Sequence, residues 1–167
     1  DKNPLNMLCL PMIMRLFPQA RIILCLRHPC DVLLSCYMQS FRSPAFMVLC
    51  SSLQRLARGY AQAFEQWSRH VEVFAPHVLE WRYESVVGNF DEHVARLGGF
   101  LGVTDAAPMA RFAEHARNKQ FISTPSYAQV TQGIHRNAVD RWHAYRAQFE
   151  DVLPVLRPWI DRFGYKA

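Results

Sequence analysis

The sequence predicts an α/β fold in which helices cover a mostly parallel sheet. Two segments have the pattern of strands: residues 21–26 form a short apolar run between Pro18 and Pro29, and residues 78–83 alternate between apolar and polar side chains. Between them, apolar residues recur every three or four positions over residues 45–74, which predicts a long helix. Two strands joined by a long helical connection are typical of a parallel pair.

The first element is predicted to be a helix that a proline interrupts. Leu5, Leu8, Met12 and Leu16 follow helical spacing, and Pro11 lies inside this pattern. Because proline lacks an N–H and its ring clashes with the preceding turn, we expect Pro11 to kink this helix or end it early.

The elements after the first strand are predicted in the same way. A helix should begin at Pro29, which suits a first turn, and run to Phe41. Pro76 should end the long helix, and Gly102 should close a later one. Further helices are expected at residues 90–101, 109–117, 139–149 and 152–163, with a long loop at residues 118–137. Two strands do not make a covered parallel sheet, so we expect a partial domain.

Composition and length describe a globular chain. It has 167 residues, of which 50% are hydrophobic and 20% charged, enough for one domain with a core. No apolar run approaches the ~18 residues of a membrane span, and no secretory signal is recognisable, which predicts a cytoplasmic protein. The five cysteines are an odd number and fit no zinc spacing, so they are expected to be reduced thiols without a metal.

The positive charge is unevenly distributed. The chain carries a net +5, with a net +3 in residues 1–43, −1 in residues 44–117 and +3 in residues 118–146. The two basic segments could converge on one anionic ligand or form a solvated basic face. A nucleotide, a phosphate, a nucleic acid and an acidic peptide are all compatible with this charge.

Polar residues follow both predicted strands, where ligands bind in open α/β sheets. Arg27 follows the first strand, Ser35 lies two turns into the next helix on the face of Asp31, and Tyr83 ends the second strand, followed by Glu84. A guanidinium and a hydroxyl beside a helix N-terminus are suited to a phosphate. Taken singly, each could instead be a surface ion pair, a helix residue or a core aromatic. The loop and the basic stretch after it add Ser126, Tyr127, Gln129, His135, Arg136, Arg141, His143 and Arg146.

Four segments in this order carry a family resemblance. They are Asp1-Lys-Asn-Pro-Leu5, the stretch from Leu26-Arg-His-Pro-Cys-Asp31 to Tyr37, Trp81-Arg-Tyr-Glu-Ser-Val-Val87, and the stretch from Ser126 to Trp142. The chain resembles the C-terminal portion of a sulfotransferase, and looks closest to the bacterial tetratricopeptide-linked and tyrosylprotein sulfotransferase-like branch. The resemblance implies a P-loop NTPase-like α/β fold. It also implies transfer of a sulfuryl group from 3′-phosphoadenosine 5′-phosphosulfate (PAPS) to an acceptor hydroxyl, with a protein tyrosine as one candidate.

The resemblance also implies roles for individual residues. Arg27 and Ser35 would hold the 3′-phosphate of the nucleotide, and Tyr83 would contact the nucleotide. Further implied roles are closure over the nucleotide by Ser126 and Gln129, a phosphate contact from Arg141, and stabilisation of the transferring sulfuryl group by Lys2.

Parts of the family pattern are absent from this chain. The glycine-containing loop for the 5′-phosphosulfate and the acidic general base are missing, so residues 1–167 are expected to be one partial sulfotransferase domain that is inactive alone. Gln39 stands where some relatives have a basic residue, and Pro125 where the tyrosylprotein branch has a hydroxyl. The expected partners are the nucleotide, a hydroxyl acceptor and a tetratricopeptide region in the full protein.

Two alternative functions can be distinguished from sulfuryl transfer. A non-catalytic module could retain the 3′-phosphate site, and would bind adenosine 3′,5′-bisphosphate without any transfer. Nucleic-acid binding is disfavoured, because the aromatic residues lie in core-spaced stripes and no nucleic-acid motif is present.

Overall fold

The computed structural model describes residues 3–118, 134 and 136–166. In chain order the elements are a 3-10 helix (Pro4–Cys9), α1 (Leu10–Leu16), β1 (Arg21–Leu26), α2 (Pro29–Tyr37), α3 (Pro44–Leu49), α4 (Leu53–Phe74), β2 (His77–Arg82), α5 (Tyr83–Gly88), α6 (Phe90–Leu101), α7 (Ala107–Ala110), α8 (Phe112–Asn118), a second 3-10 helix (Arg141–Tyr145), α9 (Arg146–Phe149) and α10 (Leu153–Arg162). Among these helices, none combines the length and the apolar character needed to cross a bilayer.

The chain divides into two compact units. The first unit comprises Asp1–Ala20, Arg27–His77 and Val139–Ala167, and the second comprises Arg21–Leu26 and Val78–Ala138. Arg27 therefore belongs to the first unit, although it directly follows β1.

Helices α2, α4 and α10 form the core of the first unit. Each of these helices packs against the other two, and α3 packs against α4. Gly59 of α4 permits that last contact, since a Cβ there would lie 2.5 Å from Cδ1 of Leu49. The buried residues of this core are Cys30, Leu33, Leu34, Leu56, Ala57, Trp142, Phe149, Val152, Leu156 and Ile160. Removing one of the large side chains would cost about 2–5 kcal/mol of stability.

The second unit contains a two-stranded parallel sheet of β1 and β2. Helix α6 packs against α5 and α7. Gly102 ends α6 at φ 71°, in the left-handed region that favours glycine, which confirms the predicted stop. The guanidinium of Arg21 lies over this residue, where a cation also interacts favourably with the C-terminal end of the helix dipole.

The described elements confirm a mixed α/β fold, and β1 has the predicted bounds. The P-loop-like arrangement stays a prediction. The 3-10 helix ends at Cys9 and α1 begins at Leu10, so Pro11 lies in the first turn of α1. The expected interruption of the helix near Pro11 is therefore confirmed.

Four predicted helices have different bounds in the structure. Helix α2 ends at Tyr37 instead of Phe41, and the single helix predicted over residues 45–74 is two helices. The break occurs because the Ser52 hydroxyl accepts a hydrogen bond from the Arg55 amide (3.2 Å) and so caps a new helix, while the apolar period continues across it. Likewise, residues 109–117 divide between α7 and α8, and residues 139–149 between the second 3-10 helix and α9.

Tyr83 does not end the second strand. Strand β2 runs from His77 to Arg82, and Tyr83 is the first residue of α5, a helix that the sequence analysis did not predict. The alternating pattern extends one residue too far, because the N-cap Arg82 still has extended backbone (φ −86°, ψ 119°) and α5 begins directly after it.

Candidate functional site

The site begins where the chain turns into α2. His28 is 3% exposed, and its Nδ1 accepts a hydrogen bond from the Cys30 amide (3.2 Å), so its side chain caps the helix. Its Nε2 lies 2.9 Å from the carbonyl oxygen of Lys166, and must donate because a carbonyl only accepts. One ring nitrogen accepts and the other donates, which defines the neutral Nε2–H tautomer.

This cap changes the expected role of the helix N-terminus. Pro29 has no N–H, and the amide of Cys30 already donates to His28. The first two positions of α2 therefore offer no amide to a ligand.

Asp31 is the fully buried carboxylate of the site, with 0% exposure. Its Oδ2 accepts from the amide of Asp140 and its Oδ1 from the amide of Trp142, both at 2.9 Å. The Nη2 of Arg27 lies 3.8 Å from Oδ1, an ion pair beyond hydrogen-bond distance. The charge of Asp31 is thus directed mostly into backbone amides.

Burial raises the pKa of the Asp31 carboxyl above its ordinary value, because it removes water from the charged form. The Trp142 amide, then the Arg27 guanidinium, then the Asp140 amide act in the opposite direction, because each stabilises the charged form.

Asp31, Ser35 and Met38 lie at positions i, i+4 and i+7 of α2 and its C-cap, so they form one stripe, which we call the α2 stripe. Arg27 contacts the N-terminal end of this stripe at Asp31. At the C-terminal end, Nη2 of Arg141 lies 3.5 Å from Sδ of Met38. Ser35 is exposed and lies between the two. The stripe spans about 10 Å along the helix axis, and Ser35 lies between the two residues that the arginines contact.

Trp142 anchors the segment that carries Arg141. It is fully buried, and its ring stacks on His28 (centroids 5.2 Å apart) and on His143 (4.3 Å). Within the part of the chain that the structure describes, Nε1 of Trp142 has no hydrogen-bond partner, although it is buried. Packing and not hydrogen bonding therefore holds this indole in place.

The structure brings some of the predicted site residues together. Arg27, Ser35 and Arg141 belong to the first unit and line the α2 stripe, whereas Tyr83 belongs to the second unit. The remaining predicted site residues, Lys2, Ser126 and Gln129, lie outside the described residues.

The sequence analysis did not assign a role to His28 or to the buried carboxylate of Asp31. The sequence contains a local signal for each: His28 precedes a proline at a helix start, and Asp31 lies four residues after Arg27. The pairing of Asp31 with Asp140 and Trp142 has no such signal.

The nearby thiols are not suited to nucleophilic chemistry. Burial, and then the charge of Asp31, raise the pKa of Cys30 to about 12, and burial followed by Cys50 raises the pKa of Cys36 to about 11. All five cysteines are free. Among the described residues, no three His, Cys, Asp or Glu side chains lie together as a metal site would require.

Comparisons with known proteins place this chain in a family. An "uncharacterized protein" of Aquifex aeolicus (strain VF5) is 25% identical over an alignment of 161 residues that covers 94% of this chain. The chain spans only 20% of the length of that relative. No solved structure matches. A family model described as "Sulfotransferase family" matches residues 1–108, which include Arg27 and the whole α2 stripe. With about two thirds of its length matched in this way, the chain belongs to the sulfotransferase family.

Proposed function

We propose that the full-length protein is a sulfotransferase that uses PAPS as donor, and that the α2 stripe binds the 3′-phosphate of the nucleotide. One observation carries this proposal: an exposed serine lies on the stripe between contacts from two arginines, Arg27 and Arg141. Family membership supports sulfuryl transfer in general.

The chemistry of the stripe suits a phosphate dianion. Guanidinium groups bind phosphate oxygens through paired, charge-assisted hydrogen bonds, and a serine hydroxyl can donate a further one. The carboxylate of Asp31 lies beside Arg27, but both of its oxygens already accept backbone amides. The dipoles of these two amides partly offset the negative charge that an incoming anion would meet.

The transfer itself needs groups that lie elsewhere. A base takes the proton of the acceptor hydroxyl, and the oxygen attacks sulfur in line. The new O–S bond forms as the bond between sulfur and the 5′-phosphate oxygen breaks. The products are a sulfate ester and adenosine 3′,5′-bisphosphate.

In this scheme the other predicted residues have distinct tasks. Lys2 stabilises the negative charge that develops on the transferring group. The family resemblance assigns a nucleotide contact to Tyr83, and closure over the nucleotide to Ser126 and Gln129. The acceptor is a hydroxyl compound, with a protein tyrosine, a sugar and a small alcohol as candidates. A tetratricopeptide region of the full protein is a further expected partner.

Calorimetric titration of the full-length protein with adenosine 3′,5′-bisphosphate tests the phosphate site. Arg27→Ala should weaken binding by ~10–150-fold, which corresponds to one lost charge-assisted hydrogen bond. Arg157→Ala, which removes an exposed arginine of α10, is the matched control and should bind like the wild type. Adenosine 5′-monophosphate lacks the 3′-phosphate and should not distinguish Arg27→Ala from the wild type. Equal bisphosphate affinity of Arg27→Ala and the wild type would refute the site.

A transfer assay then separates the enzyme from the alternative. The full-length protein is incubated with radiolabelled PAPS and pools of tyrosine peptides, sugars and alcohols. Label transferred to one pool supports the proposed activity and names the acceptor class. Bisphosphate binding without transfer to any pool would instead identify a non-catalytic nucleotide-binding module.

A further inference from the structure

We infer that Asp31 is a positioning residue that fixes Arg141 for the phosphate. This inference rests on the proposed 3′-phosphate site, and it assigns a task to a residue that does not itself touch the ligand.

The backbone geometry carries the inference. Asp31 accepts hydrogen bonds from the amides of Asp140 and Trp142, which are the two residues on either side of Arg141. Holding both neighbours fixes the position and direction of the peptide that bears Arg141. The guanidinium then reaches the exposed end of the α2 stripe at Met38.

The backbone conformation of Asp140 is one that needs stabilising contacts. Asp140 has φ 56°, in the left-handed region that costs a non-glycine residue free energy. Its amide donates to Asp31, and its carbonyl accepts from the amide of His143, so both backbone polar groups of the strained residue are paired. Loss of the Asp31 acceptor would remove a contact that stabilises this conformation.

The task requires a carboxylate. Two separate N–H donors approach two separate oxygens of Asp31, and each oxygen only accepts. Asparagine has the same shape but replaces one oxygen by an NH₂ donor, which would face another N–H. We call this pair of hydrogen bonds, from the Asp140 and Trp142 amides to Asp31, the clamp. Asp31→Asn breaks one half of the clamp with almost no change in volume.

The test is a double-mutant cycle in the full-length protein, with adenosine 3′,5′-bisphosphate as the titrant. Arg141→Ala and Asp31→Asn should each weaken binding roughly tenfold, as expected for one lost charged contact. The double variant should bind no more weakly than Arg141→Ala alone, because Asp31 acts through Arg141. Asp161→Asn, at an exposed carboxylate of α10, is the control and should bind like the wild type.

Amide hydrogen exchange gives a readout that does not depend on the nucleotide. In Asp31→Asn, exchange should accelerate at the amides of Asp140 and Trp142 more than at core amides of α4 such as Leu56. A general loss of stability would instead accelerate all of them together.

The outcomes separate the two claims. A loss in the double variant equal to the product of the single losses, or unchanged exchange at Asp140 and Trp142, would overturn the positioning role. Wild-type affinity of Arg141→Ala would overturn it too, while leaving the Arg27 site intact. Absence of bisphosphate binding by the wild type would overturn the proposed function, and the exchange result would still decide whether the clamp exists.

Discussion

Replacement of His28 tests the junction that leads into the candidate site. The imidazole makes two hydrogen bonds, from the Cys30 amide to Nδ1 and from Nε2 to the Lys166 carbonyl, and it stacks on Trp142. His28→Ala removes all three contacts. His28→Asn places an acceptor near the position of Nδ1, whereas His28→Gln places a donor near the position of Nε2.

The magnitude follows from these contacts. Loss of the helix cap costs about 1 kcal/mol, and loss of the bond to Lys166 costs about as much. A cavity beside Trp142, in a site where the imidazole is 3% exposed, adds about 1–2 kcal/mol. We therefore expect His28→Ala to lower the free energy of unfolding by about 3–4 kcal/mol, and His28→Asn to recover about 1 kcal/mol of this loss.

Urea unfolding gives these free energies, and hydrogen exchange locates them. His28→Asn should keep the Cys30 amide protected, whereas His28→Gln should leave it open to exchange. Equal protection of Cys30 in these two variants would refute the capping role. A loss below about 1 kcal/mol in His28→Ala would refute the energetic reasoning.

Two further predictions concern a glycine pair and pH. Gly102→Ala should destabilise the protein by about 1–2 kcal/mol, because φ is 71° and the new Cβ would lie 2.9 Å from Nη1 of Arg21. Gly99→Ala should instead stabilise it by about 0.5–1 kcal/mol, because the new Cβ meets nothing within 4 Å. Thermal melts that rank these variants the other way would contradict the packing. Burial raises the pKa of Asp31, so the carboxyl loses its proton less readily in the folded protein than in the unfolded chain. The contribution of this group to the free energy of unfolding is therefore lost as pH rises from 3.8 through the raised pKa. The unfolding free energy of the wild type minus that of Asp31→Asn should fall over that window in urea titrations at several pH values, and a constant difference would contradict the shift.

Local signals in the sequence were sufficient for part of the fold. Strand β1 was predicted with its bounds because an apolar run between two prolines is a short-range pattern. Gly102 was predicted for the same reason, since a helix stop depends on a few neighbouring residues. Ser52 shows the limit: its cap divides α3 from α4, but the apolar spacing runs through it without a change.

The candidate site could be predicted only in part. Arg27 and Ser35 are eight residues apart beside one helix, so spacing alone places them near each other. The position of Arg141 depends on Asp31, whose partners lie 109 and 111 residues away in the sequence. No period or spacing encodes a contact of that range, because it depends on how the helices of the first unit pack.

The clamp between Asp31 and the Asp140–Trp142 segment also sets an order of assembly. A ribosome adds roughly 5–20 residues per second, so the acceptor is made about 5–20 s before its donors. During that time the nascent chain contains α2 but lacks Trp142, which fills the same core. The carboxylate must stay hydrated in the interval, because burying it without those amides would be costly. Helix α2 can therefore reach its final packing only after the C-terminal segment emerges, and a chain stalled before residue 140 would present this surface to chaperones and proteases.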